Sequence, residues 1–315
     1  MCQPPITRKS SLLLFIWSLA GFLSTGGCGS RPALEVVVYC SQDRVYAEPI
    51  FSDFTRRSGI RVKALFDTEA AKTVGLASRL LAEKSRPQCD LFWNNEELRT
   101  WQLAARGVLE TNWISVGYRT RRLVVYTNQL PVLGMRVGLA DLVNPSFRGR
   151  VAMASPLFGT TATYFLALRQ YWGKERWENW CRQLLGNKAL VVNGNSDVVN
   201  LVGRGEAWVG LTDSDDLAAG LREGWPILSL DAADVPTLVI PNTLALVINC
   251  PHPDSARRLR EFVCQPEVVQ RLVEARALES ATPAESVHER LPVDYPYLVR
   301  ELDNATRTLE EIFLK

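Results

Sequence analysis

The hydrophobic positions change period along the chain in a regular order. Glu35 to Cys40 is a nearly continuous apolar run, the pattern of a strand covered on both faces in a parallel sheet. Ser41-Gln42-Asp43 follows as a polar turn. From Tyr46 to Ser58 the apolar residues Ile50, Phe51 and Phe54 recur at helical spacing, and the pattern stops near Gly59. Ile60 to Phe66 predicts a second strand. Asp67-Thr68-Glu69 then opens a helix that carries Val74, Leu76, Leu80 and Leu81, with Glu69, Lys72 and Thr73 on its solvated start. Cys89 to Trp93 predicts a third strand, ending in Asn94-Asn95-Glu96, and a helix through Leu98, Trp101 and Leu103 stops near Gly107. This is β-α-β-α-β with short polar loops at the strand ends, an α/β signature.

A strand turning from basic to apolar, Arg119 to Thr127, leads to a Pro/Gly-rich linker at Pro131 to Gly138. A second α/β series follows. Val151 to Ala154 is a strand, Thr160 to Tyr171 a helix opened by Gly159-Thr160-Thr161, and Lys174 to Leu185 another helix. Trp172, Trp177 and Trp180 fall at helical spacing and read as core. After Val191-Val192, a helix capped by Asn195 or Ser196 buries Val198, Val199, Leu201 and Val202 and closes at Gly203 and Gly205. Ala207 to Leu211 is a short buried strand. It runs into an acidic loop, Thr212 to Asp216, at the strand edge where open α/β sheets hold ligands. Ile240 to Ile248 is a further strand. Ser255 to Val263, Glu267 to Ala275 and Leu298 to Phe313 are helices.

The start of the chain sets the compartment. Arg8 and Lys9 precede an apolar run from Leu12 to Leu23 and then Ser24-Thr25-Gly26-Gly27-Cys28. A basic segment, a short apolar run and small residues describe an export signal over residues 1–27, and the run is too short to span a bilayer. Small residues directly before Cys28 resemble a bacterial lipobox, so Cys28 is the expected lipidation point and membrane anchor. Five cysteines remain, Cys40, Cys89, Cys181, Cys250 and Cys264, without CxxC spacing, which argues against a zinc cluster. The formal net charge of +2 and the lack of a long Lys/Arg run exclude a dedicated nucleic-acid binder. The two histidines, His252 and His288, leave little material for a histidine site, and the GxSxG, P-loop and HExxH motifs are absent. The expectation is a binding protein, not an enzyme, with no cofactor.

Two kinds of candidate chemistry point to ligands of opposite sign. Gly159-Thr160-Thr161 and Asn193-Gly194-Asn195-Ser196 open helices, whose free N–H groups and dipole favour an anion, although simple capping would look the same. Arg119 and Arg121 on their strand can hold phosphate or carboxylate in a bidentate fashion. Asp43, Glu96, Asp213, Asp215 and Asp216 instead favour a hard cation, supported by oxygens of Ser41, Gln42, Asn94 and Asn95. The candidate site is therefore Ser41, Gln42, Asp43, Asn94, Asn95, Glu96, Arg119, Arg121, Thr160, Thr161, Asn195, Ser196, Asp213, Asp215 and Asp216, with Asp43, Glu96, Asp213 and Asp215 as candidate metal ligands.

The order of these segments resembles the periplasmic solute-binding proteins of ABC importers, in particular the ferric-ion-binding group. The segments that carry it are Val37-Val38-Tyr39, Cys89 to Trp93, Arg119 to Tyr126, Asn144-Pro145-Ser146-Phe147-Arg148-Gly149-Arg150-Val151, Gly159-Thr160-Thr161, Gly205-Glu206-Ala207 and Pro251-His252-Pro253-Asp254-Ser255-Ala256. The resemblance implies a two-lobed α/β binding fold of type II, each lobe a mostly parallel sheet flanked by helices, joined by two crossing hinge strands and closing by hinge bending. The expected lobes are 28–122 with 243–287 and 123–242 with 288–315. It further implies an iron(III) cargo with a synergistic anion, delivered by a monomeric, lipid-anchored periplasmic protein to a permease and its ATPase. Ferric-binding members carry adjacent tyrosines where this chain has Asp213-Ser214-Asp215-Asp216. A phosphorylated or carboxylated organic solute, such as a phosphonate or sugar phosphate, satisfies the same residues, and a polyamine is a third alternative.

Overall fold

Strand β1 (Glu35–Cys40) lies between β2 (Arg61–Phe66) and β3 (Leu91–Asn94), all parallel. The apolar run predicted it: Val36, Val38 and Cys40 enter one apolar cluster, while Tyr39 on the other face enters a second. Burying both faces is what a near-continuous hydrophobic strand permits. Helix α1 (Arg44–Ser58) packs Ala47, Ile50, Phe51 and Phe54 into the first cluster and ends at Gly59, which adopts the left-handed conformation at φ 71°. Helices α2 (Val74–Ala82) and α3 (Glu97–Ala105) cover the other face through Leu76, Leu80 and Leu103. The computed structural model describes residues 34–67, 74–129, 131, 136–283, 287 and 289–314. The leader with Cys28, the helix opening at Glu69, Lys72 and Thr73, half of the predicted linker (132–135), and His288 lie outside the described residues.

Strand β4 (Ile114–Tyr126) carries the chain across. Its first half pairs antiparallel with β9 (Val239–Leu246), which also pairs with β3. Its second half pairs antiparallel with β7 (Val209–Asp213) and β8 (Ile227–Leu230). Beyond β7 lie β5 (Val151–Ala154) and β6 (Leu190–Val192), parallel to one another. The strand order is β2-β1-β3-β9-β4-β7-β5-β6, with β8 on β4. Thus β4 and β9 connect two halves, each with its own apolar clusters apart from Leu98 of α3, which enters a cluster of the second.

The second half repeats the two-faced burial. Leu123, Val125, Val151, Met153, Val209 and Leu211 enter one cluster; Val124, Ala152 and Ala154 enter the other. Helix α4 (Gly159–Trp172) and helix α5 (Lys174–Gly186) cover the first, with Trp177 and Trp180 in the core as their spacing predicts. Each such fully buried large side chain contributes roughly 1.5–3 kcal/mol. Helix α6 (Asn195–Gly203) packs on the other face. A Cβ on Gly210 of β7 would meet Val198 at 2.4 Å, so glycine permits this close approach. Two short elements escaped the pattern. The predicted acidic loop is the start of helix α7 (Ser214–Arg222), and β8 has only one fully buried residue. Helices α8 (Pro253–Val263) and α9 (Pro266–Glu274) return to the first half, and α10 (Tyr295–Phe313) packs Leu298, Leu302, Ala305, Leu309 and Ile312 into the second. Among the described residues no helix is long and apolar enough to cross a membrane.

Candidate functional site

Strand alternation places Arg119 and Arg121 on one face of β4 and Thr120 and Arg122 on the other. Both pairs are engaged. Arg122 bonds Glu279 at 2.6 Å and also pairs with Asp231. On the opposite face, Arg121 donates to Asp213 Oδ1 at 2.8 Å, Asn195 Oδ1 at 3.1 Å, Thr161 Oγ1 at 3.2 Å and the Leu211 carbonyl at 3.1 Å. Arg119 donates to Asp215 Oδ2 at 2.6 Å and to the Asn95 carbonyl at 2.5 Å. Burial disfavours its charge, but Asp215, Asp213 and Asp216 together push its pKa above the ordinary arginine value. It is a fixed cation.

Asp213 ends β7 and is 1% exposed. Its Oδ2 accepts from Thr160 Oγ1 at 2.5 Å and Asn195 Nδ2 at 2.9 Å, and its Oδ1 from Arg121. Asp215 and Asp216 occupy the first turn of α7, where the helix dipole favours carboxylates. That explains the acidic run without a ligand: Asp-Ser-Asp-Asp followed by Leu217 is a helix start, a signal present in the sequence. The opposite charges that suggested ligands of both signs are thus largely each other's partners. A buried pair of this kind persists because the desolvated guanidinium and carboxylate complete each other's hydrogen bonds.

These residues surround a cavity of about 440 Å³, open mouth included. Of the residues predicted for a site, Asn95, Arg119, Thr160, Thr161, Asn195, Asp213 and Asp216 line it. Arg121 stands behind it through its bonds to Asn195 and Thr161, and Asp215 through its bond to Arg119. Ser155, Phe158 and Asn193 line it as well and were not among the candidates; Ser155 sits just past the carboxyl end of β5, a position the sheet-edge rule would have supplied. Helices α4 and α6 both begin on this cavity, and neither has a side-chain cap. Gly194, not Asn195 or Ser196, holds the cap position of α6. Instead Asn195 turns its amide to Asp213 and Thr160. Arg119 adds a buried Nε without a hydrogen-bond partner. The cavity therefore presents two helix N-termini, a fixed cation and a carboxylate network: a cradle for an anion beside groups able to accept from hydroxyls.

The remaining candidates lie elsewhere. Ser41 and Gln42 are buried, and Gln42 Oε1 accepts from Asn242 Nδ2 at 2.9 Å. Asp43 stands before α1, Ser196 is exposed on α6, and Asn94 bonds Thr100 Oγ1 at 3.1 Å. Glu96, 1% exposed, caps α3: Oε2 accepts from Leu98 N at 2.6 Å and from Thr163 Oγ1 at 2.9 Å, and Oε1 from Arg99 N at 3.0 Å. Burial holds its carboxyl above the ordinary range. None of these six residues borders the cavity. The cysteines Cys40, Cys89, Cys181, Cys250 and Cys264 are free, and the first three are buried as small hydrophobes.

Two α/β halves, joined by crossing strands and meeting at a polar cavity ringed by helix starts, define a two-lobed binding protein. Residues 36–275 match the model of the bacterial extracellular solute-binding proteins, and the chain belongs to that family. The family is one of binding proteins, not enzymes. The chain is similar to the major ferric iron-binding protein of Neisseria meningitidis, 24% identical over 176 residues, which are 49% of this chain and 52% of that one. The chain thus spans about half the length of the curated relatives it matches. The fold is that of iron-bound HitA from Pseudomonas aeruginosa, at a TM-score of 0.75 and 20% identity over 89% of this chain and 99% of that one. It is also that of AfuA from Actinobacillus pleuropneumoniae with fructose-6-phosphate bound, at 0.73 and 18% over 88% and 97%. The resemblance to the ferric-ion-binding group read from the segment order is borne out.

Proposed function

We propose that this protein is the ligand-capturing component of a bacterial ABC importer and that it closes on a small solute led by an anionic group. One observation carries this reading: two helices without side-chain caps begin at the cavity where Arg119 also stands. Phosphate or carboxylate would complete the first-turn N–H groups and face the guanidinium. A phosphorylated or carboxylated organic solute fits best, its hydroxyls meeting Asn95, Asn193 and the Asp213–Asp216 side. Iron(III) with a small anion is the second reading. It is favoured by the oxygens of Asp213, Asp215 and Asp216, which lie within 4.8 Å of one another, and by the name of the Neisseria relatives. Against it, no tyrosine lines the cavity among the described residues.

The rest of the reading follows from the sequence. The protein works outside the cytoplasm, in the periplasm, as a monomer, tethered through lipid on Cys28, and passes its cargo to a permease and ATPase. Apart from Leu98, which joins the second half's cluster, the apolar clusters support lobes at 28–122 with 243–287 and 123–242 with 288–315. Calorimetric titration with fructose 6-phosphate, inorganic phosphate and ferric citrate tests the cargo. The expected result is binding of a phosphate-bearing probe, weakened about tenfold or more in Arg119→Met, which removes a charged hydrogen bond. Ferric binding lost in Asp216→Asn but kept in Arg119→Met would favour the iron reading. Cys28→Ser should move the protein from the membrane fraction to the soluble one.

A further inference from the structure

Helix α3 belongs to both halves. Its Leu103 packs in the first half, under Tyr39 and Phe92, but its Leu98 packs in the second, among the residues of α4 and α10. Trp101 stacks on Tyr295 of α10 at 6.1 Å with the rings 6° from parallel. The start of this helix is tied to both crossing strands. Asn94 Nδ2 donates to the Glu96 carbonyl and to Thr100 Oγ1, and Thr100 shares a 2.7 Å hydrogen bond with Thr243 of β9. One residue before the cap, the Asn95 carbonyl receives Arg119 of β4. The carboxylate of Glu96 then crosses to the second half, where Thr163 donates to it at 2.9 Å. Thr163 is one helical turn beyond Thr160, which lines the cavity.

We propose that the Glu96–Thr163 hydrogen bond is a latch across the cleft, which makes Glu96 a positioning residue for ligand affinity and not a ligand. The inference rests on the reading of this protein as a two-lobed binder that closes. Both partners are buried, at 1% and 2% exposure, so water does not compete for the bond while the halves stay together. Another side-chain bond between the halves, Arg222 to Tyr46 at 3.1 Å, is exposed and contributes little. The carboxylate oxygen that Thr163 reaches also accepts from Leu98 N. Opening would exchange the hydroxyl for water at that oxygen and leave the cap intact. The bond therefore weighs on the open–closed equilibrium, and a ligand that selects the closed form gains whatever the latch contributes.

The test uses Thr163→Val, which keeps the shape and removes the donor, and Thr163→Ser, which keeps the donor. Small-angle scattering on the ligand-free proteins reads the latch without any ligand. Thr163→Val should have a larger radius of gyration than wild type, Thr163→Ser should match wild type, and all three should melt together within about 2 °C, under 1 kcal/mol for a chain of this size. With fructose 6-phosphate or ferric citrate as probe, dissociation from Thr163→Val should be about tenfold faster, the loss of one hydrogen bond to a charged group, and Thr163→Ser should restore it. An unchanged radius in Thr163→Val, or equal losses in both variants, would overturn the latch. If wild type binds neither probe, the proposed cargo is wrong, and the scattering comparison still decides the latch.

Discussion

Asp213 separates a structural network from a free ligand group. In Asp213→Asn the side chain keeps its shape and loses its charge. The partner left behind is Arg121, 4% exposed, whose guanidinium now has no carboxylate at 2.8 Å. Breaking a buried ion pair from one side costs about 3–5 kcal/mol. Arg121 retains Asn195, Thr161 and the Leu211 carbonyl, which argues for the lower end. The substituted amide must also turn its NH₂ toward Thr160, Asn195 or Arg121, all of which donate to the native carboxylate. At about 3 kcal/mol, and about 2–4 °C per kcal/mol for a chain of this size, the midpoint of thermal unfolding should fall by about 6–12 °C. That loss is a large part of a total stability of roughly 5–15 kcal/mol. Calorimetric unfolding of ligand-free protein measures it. The double variant Arg121→Met/Asp213→Asn should be less destabilised than the sum of the single variants, because the uncompensated charge is gone. A midpoint within about 2 °C of wild type, with additive double-variant losses, would refute the network and return Asp213 to the role of an uncommitted ligand.

Three further outcomes are expected. Gly210→Ala should destabilise the protein by about 1–3 kcal/mol in urea titrations, because the new Cβ would meet Val198 and Val124 where α6 rests on β7; a neutral change would mean that α6 can shift outward freely. The Cys250 thiol, pushed up to about 11 by burial and then by Asp90, should react with iodoacetamide at a rate that still climbs between pH 8 and 10, whereas a plateau below pH 9 would contradict its surroundings. Glu96 holds its proton more tightly in the native state than in the unfolded chain, because burial raises its pKa above 4.5. As pH rises from 4.5 toward that raised value, the unfolded state has released the proton and the native state has not. Stability must therefore fall with rising pH across that window. Urea midpoints should show this fall in wild type and lose it in Glu96→Gln; an equal fall in both would assign it to other carboxylates.

What the chain made legible, and what it concealed, both follow from the physics of patterning. Two-faced apolar runs such as Val36 to Cys40 could only be buried parallel strands, and the helical spacing of Trp177, Trp180 and Leu184 could only face a core. These signals are local, so the order of elements was readable. Helix α7 was misread because its first turn is acidic, and an acidic first turn and a solvated acidic loop look alike until the dipole of the following Leu217–Arg222 segment is weighed. The candidate site was half legible for a different reason. Arg119, Thr160, Asn195 and Asp213 come together on one cavity, since all four follow strand ends or lie on the crossing strand. Which of them neutralise each other is a question of pairing across nearly a hundred residues, Arg121 to Asp213 and Arg119 to Asp215, and no local pattern encodes it. Glu96 shows the same limit from the other side. Its position after the third strand is the one a sheet-edge ligand would occupy, yet it is three residues from Arg99 N and faces Thr163, and capping plus one cross-cleft donor already fill its oxygens. A carboxylate's role is set by how many donors reach it first. In this fold the helix starts reach Glu96, the arginines reach Asp213 and Asp215, and the N-termini of α4 and α6, which the Gly159-Thr160-Thr161 and Asn193 to Ser196 turns mark in the sequence, are left facing the cavity.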